Sequence, residues 1–171
     1  MKGYVQVYTG DGKGKSTAAI GQAIRAAGAG WKVFFAQFVK GQIYSEIKLI
    51  RENLPEIEIA QFGRDCFIKK EPAPEDYERA RSGFNIVKEK IISGQYNLIV
   101  LDEINIAMYY ELIAVEEVME LINNKPGELE LIITGRKAPK EIVEIADLVT
   151  EMKEIKHYYT KNIKAREGIE F

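Results

Sequence analysis

A glycine-rich stretch, TGDGKGKST at residues 9–17, carries residue types that bind phosphate. Its end, Gly14-Lys15-Ser16, matches the last part of the phosphate-loop pattern G-x-x-x-x-G-K-[ST], but Thr9 stands where that pattern has its first glycine. Glycines let successive backbone N–H groups turn toward one anion, and the positive end of a following helix points to the same place. The stretch therefore predicts binding of a nucleoside triphosphate and leaves the reaction open.

Side chains at the end of this loop have expected roles. Lys15 would add a mobile positive charge for phosphate oxygens, and the Ser16 hydroxyl would bind Mg²⁺. Lys13 is an additional cation within the loop. The alternative is a glycine-rich turn that merely contains lysine. The strand-like run before the loop and the helical pattern after it disfavour that alternative.

Two adjacent acids form a second group of candidate ligands. The segment LIVLDE, at 98–103, places Asp102 and Glu103 just past an apolar run that predicts a buried strand. In phosphate-loop proteins an acid at this position completes the coordination of Mg²⁺, and ligands collect at the carboxyl ends of parallel strands. Spacing does not decide which acid contacts the metal. Both acids could instead only end the strand and cap the next helix, and in an ATPase Glu103 would activate water.

The elements that must position these side chains alternate along the chain. Apolar runs predict strands at 4–8, 33–38, 57–62, 98–101 and 129–134. Apolar residues at helical spacing follow the glycine-rich loop and recur at 75–92, 112–123 and 139–146, while 63–74 is typical of a long loop. This alternation predicts an α/β fold with a mostly parallel central sheet flanked by helices. We expect a phosphate-loop NTPase-like (RecA-like) single domain over residues 1–171.

The composition excludes several classes of protein. A formal net charge of −2 argues against a general nucleic-acid binder. The single cysteine, Cys66, cannot build a disulfide framework or a thiolate zinc site within one chain, which fits a reducing compartment. The first ten residues lack the apolar segment of a secretory signal, and no apolar run approaches the roughly 20 residues that span a bilayer. We expect a cytoplasmic protein with neither a nucleic-acid nor a membrane partner.

Six segments occur together in an order that resembles one enzyme family. They are TGDGKGKSTAAIGQAIRAAGAGWKV (9–33), QFVKG (37–41), LIVLDEIN (98–105), LIITGR (131–136), ADLVTEM (146–152) and KAREGIEF (164–171). Together they resemble the phosphate-loop ATP:corrinoid adenosyltransferases of cobalamin synthesis and salvage, as distinct from the unrelated helical-bundle type. The resemblance runs nearly end to end, and its motifs are specific as a set although each is modest alone.

The resemblance implies a particular use of ATP. In that family the Co(I) centre of cob(I)alamin, or of a corrinoid precursor, attacks the ribose C5′, and the whole triphosphate leaves. The loop and Mg²⁺ would then hold all three phosphates, which gives a reason for a loop unlike that of a kinase. No general base is required because cobalt is itself the nucleophile. The protein would supply orientation and stabilisation of the leaving group.

The resemblance also implies roles for individual residues. Ser16 and Glu103 would bind Mg²⁺ with support from Asp102, and Lys15 and Glu103 would act in catalysis. The residues expected to bind ATP are Gly10, Asp11, Gly12, Lys13, Gly14, Lys15, Ser16, Thr17, Arg25 and Arg136.

Some of these roles have plain alternatives. Arg25 could be a solvated helix residue, and Arg136 could pair with an acid. Phe67, in the loop before the long helix, would act in catalysis by pressing on the lower face of the corrin and favouring cobalt reduction. Lys69, however, stands about where the family has a second aromatic residue.

Other polar and aromatic residues have weaker claims. Gln37 and Lys40 end a predicted strand on the expected side, where they line the site or only cap the sheet. His157, the single histidine, is more typical of a hydrogen-bonding residue than of a catalyst. The paired tyrosines at 109–110 and 158–159 are more typical of core packing than of a ring-binding surface.

The family resemblance further implies a homodimer and a flavodoxin-type reductant. Two other functions stay open. One is a small phosphate-loop ATPase or kinase, in which Asp102 and Glu103 would handle water or a substrate hydroxyl. The other is a non-catalytic ATP-dependent corrinoid carrier or sensor that binds both ligands and turns over neither.

Overall fold

The computed structural model of the chain describes residues 1–64 and 71–171, and its centre is a six-stranded sheet. The strands in chain order are β1 (Val5–Thr9), β2 (Val33–Phe38), β3 (Ile57–Phe62), β4 (Leu98–Asp102), β5 (Glu130–Thr134) and β6 (Leu148–Glu151). Every neighbouring pair is parallel, in the order β3-β2-β4-β5-β1-β6. The carboxyl ends of all six strands therefore meet at one edge of the sheet.

Helices cover both faces of this sheet. They are α1 (Lys15–Gly28), α2 (Ser45–Asn53), α3 (Pro74–Ile92), α4 (Ile104–Tyr109), α5 (Val115–Asn124) and α6 (Lys140–Ile145). One core lies under α3, α4, α5 and α6, and a smaller core lies under α1 and α2. Because both faces are covered, β2 and β4 are buried along their whole length.

The strand order brings the phosphate loop and the acidic pair Asp102–Glu103 to neighbouring places at the carboxyl edge of the sheet. Strand β5 lies between β1, which leads into the phosphate loop, and β4, which ends at the two acids. The last residue of β5, Thr134, is fully buried at the carboxyl edge. A threonine hydroxyl is thereby placed between the loop and the acids.

Five strands and four helices were predicted, and all of them are present to within a few residues. The expectation of a mostly parallel α/β fold is confirmed, and the sheet is entirely parallel. The predicted helix at 112–123 begins later, at Val115, and the apolar residues Leu112 and Ile113 are buried in the connection between α4 and α5. None of the helices in the two described ranges combines the length and apolarity needed to cross a bilayer.

Helices α2 and α4 and strand β6 were not predicted. All four residues of β6 are exposed, so the strand lacks the apolar signal of a buried one. Pairing with β1 defines it instead, through the register of Gln6 with Leu148 and of Thr9 with Glu151. The predicted long loop at 63–74 contains residues 65–70, which lie outside the described residues, and α3 begins at Pro74.

Candidate active site

The phosphate loop joins β1 to α1 and takes its shape from two glycines. Gly10 (φ 93°) and Gly14 (φ 117°) adopt left-handed backbone conformations that residues with a side chain rarely take. Gly14 is the N-cap of α1, so the free N–H groups of the first helical turn face the loop. The predicted order of strand, glycine loop and helix is confirmed.

Thr9, which departs from the usual loop pattern, is the last residue of β1 and is held by the chain that leaves β6. Its carbonyl oxygen accepts the Met152 N–H at 2.8 Å, and the Gly12 N–H donates to the Met152 carbonyl oxygen at 2.6 Å. A Cβ added at Gly12 would lie 2.6 Å from that same oxygen. Gly12 is therefore required for close packing. Its N–H is bonded to the Met152 carbonyl oxygen and so does not face the phosphate site.

Lys15 lies inside the loop and is only 7% exposed. Its Nζ donates to the Gly12 carbonyl oxygen at 2.7 Å. Burial lowers the pKa of Lys15, and the nearby Glu103 carboxylate opposes that shift. A charged acceptor binds an ammonium group more strongly than a neutral carbonyl does. A phosphate oxygen would therefore draw Lys15 away from Gly12.

Ser16, Lys40, Asp102 and Glu103 form a group that we call the carboxylate cluster. The Lys40 Nζ donates to Ser16 Oγ at 3.0 Å. The same Nζ lies 3.5 Å from Asp102 Oδ2 and 3.1 Å from Glu103 Oε1. Burial alone would lower the pKa of Lys40, but the charges of the two acids outweigh burial and raise it. Lys40 is therefore a fixed positive charge between the three residues predicted to bind Mg²⁺.

Asp102 is fully buried and is held by neighbouring side chains. Thr134 Oγ1 donates to Oδ1 at 2.7 Å, and Gln37 Nε2 donates to Oδ2 at 3.0 Å. Burial alone would raise the pKa of Asp102, but the Lys40 charge and these hydrogen bonds hold it below its usual range. Asp102 is thus an oriented carboxylate that is ionised at neutral pH.

Glu103 is placed by an unusual backbone conformation. Its φ of 60° and ψ of 18° lie in the left-handed region, where it serves as the N-cap of α4. Its N–H donates to Thr134 Oγ1 at 3.0 Å, so one hydroxyl orients both acids. A non-glycine residue in this region costs on the order of 1–3 kcal/mol, and such residues cluster at functional sites.

A cleft of about 1290 Å³ opens beside the loop, and aromatic residues form part of its wall. Tyr109 and Tyr110 line it in an edge-to-face arrangement, with ring centroids 5.3 Å apart. Tyr44 and Phe171 line it as well, with ring centroids 6.4 Å apart. The interpretation of Tyr109 as a core residue is wrong, because 57% of it is exposed.

The C-terminal residues also border this cleft. Gly168 to Phe171 line it, and Lys13 Nζ donates to the Ile169 carbonyl oxygen at 2.9 Å. His157 lines it too, and its Nδ1 accepts the Tyr159 N–H at 3.0 Å. The histidine therefore makes a hydrogen bond of the kind expected for it.

The predicted ATP-binding residues fall into two groups. Those from Asp11 to Thr17 line the cleft together with Arg136, which has no acidic partner among the described residues. Arg25 is exposed in the last turn of α1, outside the cleft lining, where its Nη1 donates to Gln22 Oε1 at 3.3 Å. Gly10 shapes the loop without lining the cleft. Phe67 lies outside the described residues, so its role stays a prediction.

Comparison with known proteins identifies the family. The model of the ATP:corrinoid adenosyltransferase family BtuR/CobO/CobP matches residues 1–171. The chain belongs to this family. A corrinoid adenosyltransferase of Sinorhizobium sp. is 36% identical over 99% of this chain and 81% of its own length. One from Escherichia coli K12 is 33% identical over 99% of this chain and 86% of its own.

The fold has a more distant structural relative. The flagellar accessory protein FlaH of Methanocaldococcus jannaschii superposes with a TM-score of 0.63 at 13% identity, over 88% of this chain and 71% of that one. This likeness concerns the fold alone, a parallel sheet flanked by helices with a phosphate loop after its first strand. Family membership confirms the predicted resemblance, the enzyme class and the function of ATP-dependent corrinoid adenosylation.

Sequence reasoning missed or undervalued several residues of the site. Thr134 gave no signal beyond its place at the end of an apolar run. Lys40 was predicted only to line the site or cap the sheet at the end of a strand. Its role was missed because the two acids it pairs with lie more than 60 positions away in the sequence. Tyr44 and Phe171 carried no local pattern either. These residues have long-range partners, which single-sequence periodicity does not report.

Proposed function

We propose that this enzyme transfers the 5′-deoxyadenosyl group of ATP to the Co(I) centre of a reduced corrinoid. The electron pair of Co(I) forms the cobalt–C5′ bond while the C5′–O bond breaks, and its electrons leave with the triphosphate. Cobalt is thereby formally oxidised from Co(I) to Co(III). The step needs no proton acceptor on the protein, in keeping with the ion pair between Glu103 and Lys40 at 3.1 Å.

The observation that carries this proposal is one cleft that joins the phosphate loop to an aromatic wall. Its volume of about 1290 Å³ exceeds the ~300–1,000 Å³ typical of a pocket for one small ligand. The loop side offers N–H groups and cations, while Tyr109 and Tyr110 offer flat apolar surface. This division suits a charged triphosphate beside a second, flat substrate.

The carboxylate cluster fits Mg²⁺ as the metal that accompanies ATP. Its donors are a hydroxyl and two carboxylates, the hard oxygen ligands that Mg²⁺ takes, and a cation already lies among them. No group of three His, Cys, Asp or Glu side chains is placed for a metal within 1–64 and 71–171, so the phosphates would complete the coordination. When bound, the metal neutralises the charge of the leaving triphosphate.

The chain's own residues supply orientation and positive charge. Ser16 and Glu103 would contact the metal directly, and Asp102 would orient the Ser16 hydroxyl through a hydrogen bond. Lys15 would leave the Gly12 carbonyl for a phosphate oxygen, and Arg136 would reach the phosphates from the end of β5. Positive groups aimed at the departing phosphates act where charge develops in the transition state.

The remaining parts of the proposal rest on family membership. They are a flavodoxin-type reductant that delivers electrons to the corrinoid, a homodimeric assembly, and contacts of Phe67 with the corrin and of Arg25 with ATP. A cytoplasmic location is proposed from the composition instead. An exposed Arg25 would meet ATP only if binding or assembly brings the two together.

One anaerobic assay tests the function. The protein is mixed with Mg·ATP and chemically reduced cob(I)alamin, and the absorption spectrum and released phosphates are followed. We expect adenosylcobalamin together with one equivalent of triphosphate. ADP and orthophosphate without an alkylated corrin would overturn the proposal and favour an ATPase. Binding of both ligands without any product would favour a carrier.

A further inference from the structure

Lys40 takes the place in the carboxylate cluster that a metal ion would need. Its ammonium group has three N–H donors, and three oxygens lie around it, at 3.0, 3.1 and 3.5 Å. Two of these oxygens belong to Ser16 and Glu103, which we propose contact Mg²⁺ directly, and the third belongs to Asp102, which supports them. Because both cations require the same lone pairs, the ammonium and the metal exclude each other from this position.

The backbone around Lys40 is closely packed against a neighbouring segment. Val39 has a φ of 60°, a left-handed conformation that a β-branched residue rarely adopts. A Cβ added at Gly63 would lie 2.2 Å from the Lys40 backbone nitrogen, and one at Gly41 would lie 2.5 Å from the Gly63 carbonyl oxygen. Two segments are thus packed backbone to backbone, and a strained residue directs Lys40 toward the phosphate loop.

Lys40 balances the negative charges of Asp102 and Glu103. Asp102 is fully buried, and the side chain of Glu103 is only 17% exposed. Two carboxylates held close together away from water repel each other unless a cation lies between them. The enzyme therefore needs a positive charge here whenever no metal is bound.

We propose that Lys40 is a resident counter-ion that holds the metal position until Mg·ATP arrives, and that the triphosphate then draws its ammonium away. The inference rests on the proposed Mg²⁺ site. It makes Lys40 a positioning residue with a definite consequence. Free divalent metal competes poorly with the lysine, while metal that enters with a triphosphate brings a new acceptor for the displaced ammonium. Metal and nucleotide therefore bind together.

The test measures metal binding without turnover. Mn²⁺ is titrated into the protein in the absence of nucleotide, and the free ion is followed by electron paramagnetic resonance. We expect Lys40→Met to bind Mn²⁺ at least ten-fold more tightly than the wild type, and Lys40→Arg to bind it as weakly as the wild type. Lys48→Met, on the exposed face of α2, removes an equal charge and should change nothing. Equal Mn²⁺ affinity in the wild type and Lys40→Met would overturn the inference.

One further measurement and one substitute variant secure the result. Mn²⁺ alone should raise the melting temperature of Lys40→Met and leave that of the wild type unchanged, since a ligand stabilises the state that binds it. If Lys40→Met does not fold, Lys40→Gln keeps a donor for Ser16 and takes its place, with the same tighter binding expected.

A separate control tests the metal site on which the inference rests. Glu103→Gln should weaken binding of Mn·ATP. If it does, and neither Lys40→Met nor Lys40→Gln binds free Mn²⁺ more tightly than the wild type, the lysine inference fails while the proposed metal site stands. If Glu103→Gln leaves Mn·ATP binding unchanged, the proposed metal site itself fails, and the lysine inference fails with it.

Discussion

The phosphate loop and the carboxylate cluster share Ser16 but are built in opposite ways. The loop is a run of nine residues whose key contact, Lys15 Nζ to the Gly12 carbonyl oxygen, spans three positions. The cluster is assembled from the ends of two strands and a helix, with Lys40 lying 24 positions from Ser16 and 62 from Asp102. Local sequence therefore specifies phosphate binding, whereas strand order specifies how charge is balanced beside it. Damage to the first should alter chemistry, and damage to the second should alter assembly of the site.

The largest effect is expected from the loop lysine. Lys15→Met removes a charge aimed at the leaving triphosphate, and losing one such group costs about 10²–10³ in kcat. The fold should survive, because burial already disfavours the charged form of Lys15. The anaerobic adenosylation rate with saturating Mg·ATP measures the effect, with Lys48→Met as the matched loss of charge. A kcat within three-fold of the wild type would remove Lys15 from the proposed mechanism.

The next effect is expected at the residue that joins the two regions. Thr134→Val leaves Asp102 Oδ1 and the Glu103 N–H without the hydroxyl that both contact. Buried groups left unpaired cost about 1–3 kcal/mol in the free energy of unfolding. Urea unfolding measures this cost, and Mn·ATP affinity should fall in parallel. Thr134→Ser keeps the hydroxyl and should retain most of both. Equal loss in the two variants would mean that the Thr134 hydroxyl is not what the two acids depend on.

An effect of similar size is expected where the chain that leaves β6 packs on the loop. A methyl group at Gly12 would collide with the Met152 carbonyl oxygen, and overpacking of this kind costs about 1–3 kcal/mol. The control is Gly21→Ala, in the interior of α1 with nothing within 4 Å of the added Cβ, which should stabilise the protein by about 0.5–1 kcal/mol. Thermal unfolding of the two variants should shift in opposite directions. A neutral Gly12→Ala would contradict the packing role of this glycine.

The smallest effect lies outside both regions and appears only with pH. Hydrogen bonds from Arg64, at 2.6 Å, hold the pKa of Asp76 below its ordinary value of 3.8. The stability that Asp76 contributes is therefore present above pH 3.8 and is lost as the pH falls through the lowered pKa. Asp76→Asn should lose this stability at neutral pH, so its unfolding free energy approaches that of the wild type in acid.

Glu75→Gln is the matched control for this pH dependence, because it breaks an exposed pair with Arg79 that contributes little. A constant difference between Asp76→Asn and the wild type across the acid range would contradict the lowered pKa. Neither variant should change Mn·ATP affinity, which separates this ion pair from the active site.

Apolar periodicity predicted five strands and four of the helices that pack on the core, but it missed helices α2 and α4 and the exposed strand β6. Strand β4 and helix α3 bury continuous or regularly spaced apolar residues, so their sequences report their structure. Strand β6 is exposed, and only its hydrogen bonds to β1 define it. Among the site residues, Lys15, Ser16, Asp102 and Glu103 were identified from motifs. Arg25 was predicted from the family resemblance, and the fold leaves it outside the cleft lining.

The sequence by itself determined that this chain has a phosphate loop, a parallel α/β sheet and the motifs of a corrinoid adenosyltransferase. Each of these depends on residues close together in the chain, or on a period that the backbone imposes. Tertiary structure alone decided that Thr134 orients both acids, that Gly12 is packed against Met152, and that Lys40 lies between the proposed metal ligands. The reason is physical: these contacts join the ends of different parallel strands, and only the order of strands in the sheet brings those ends together.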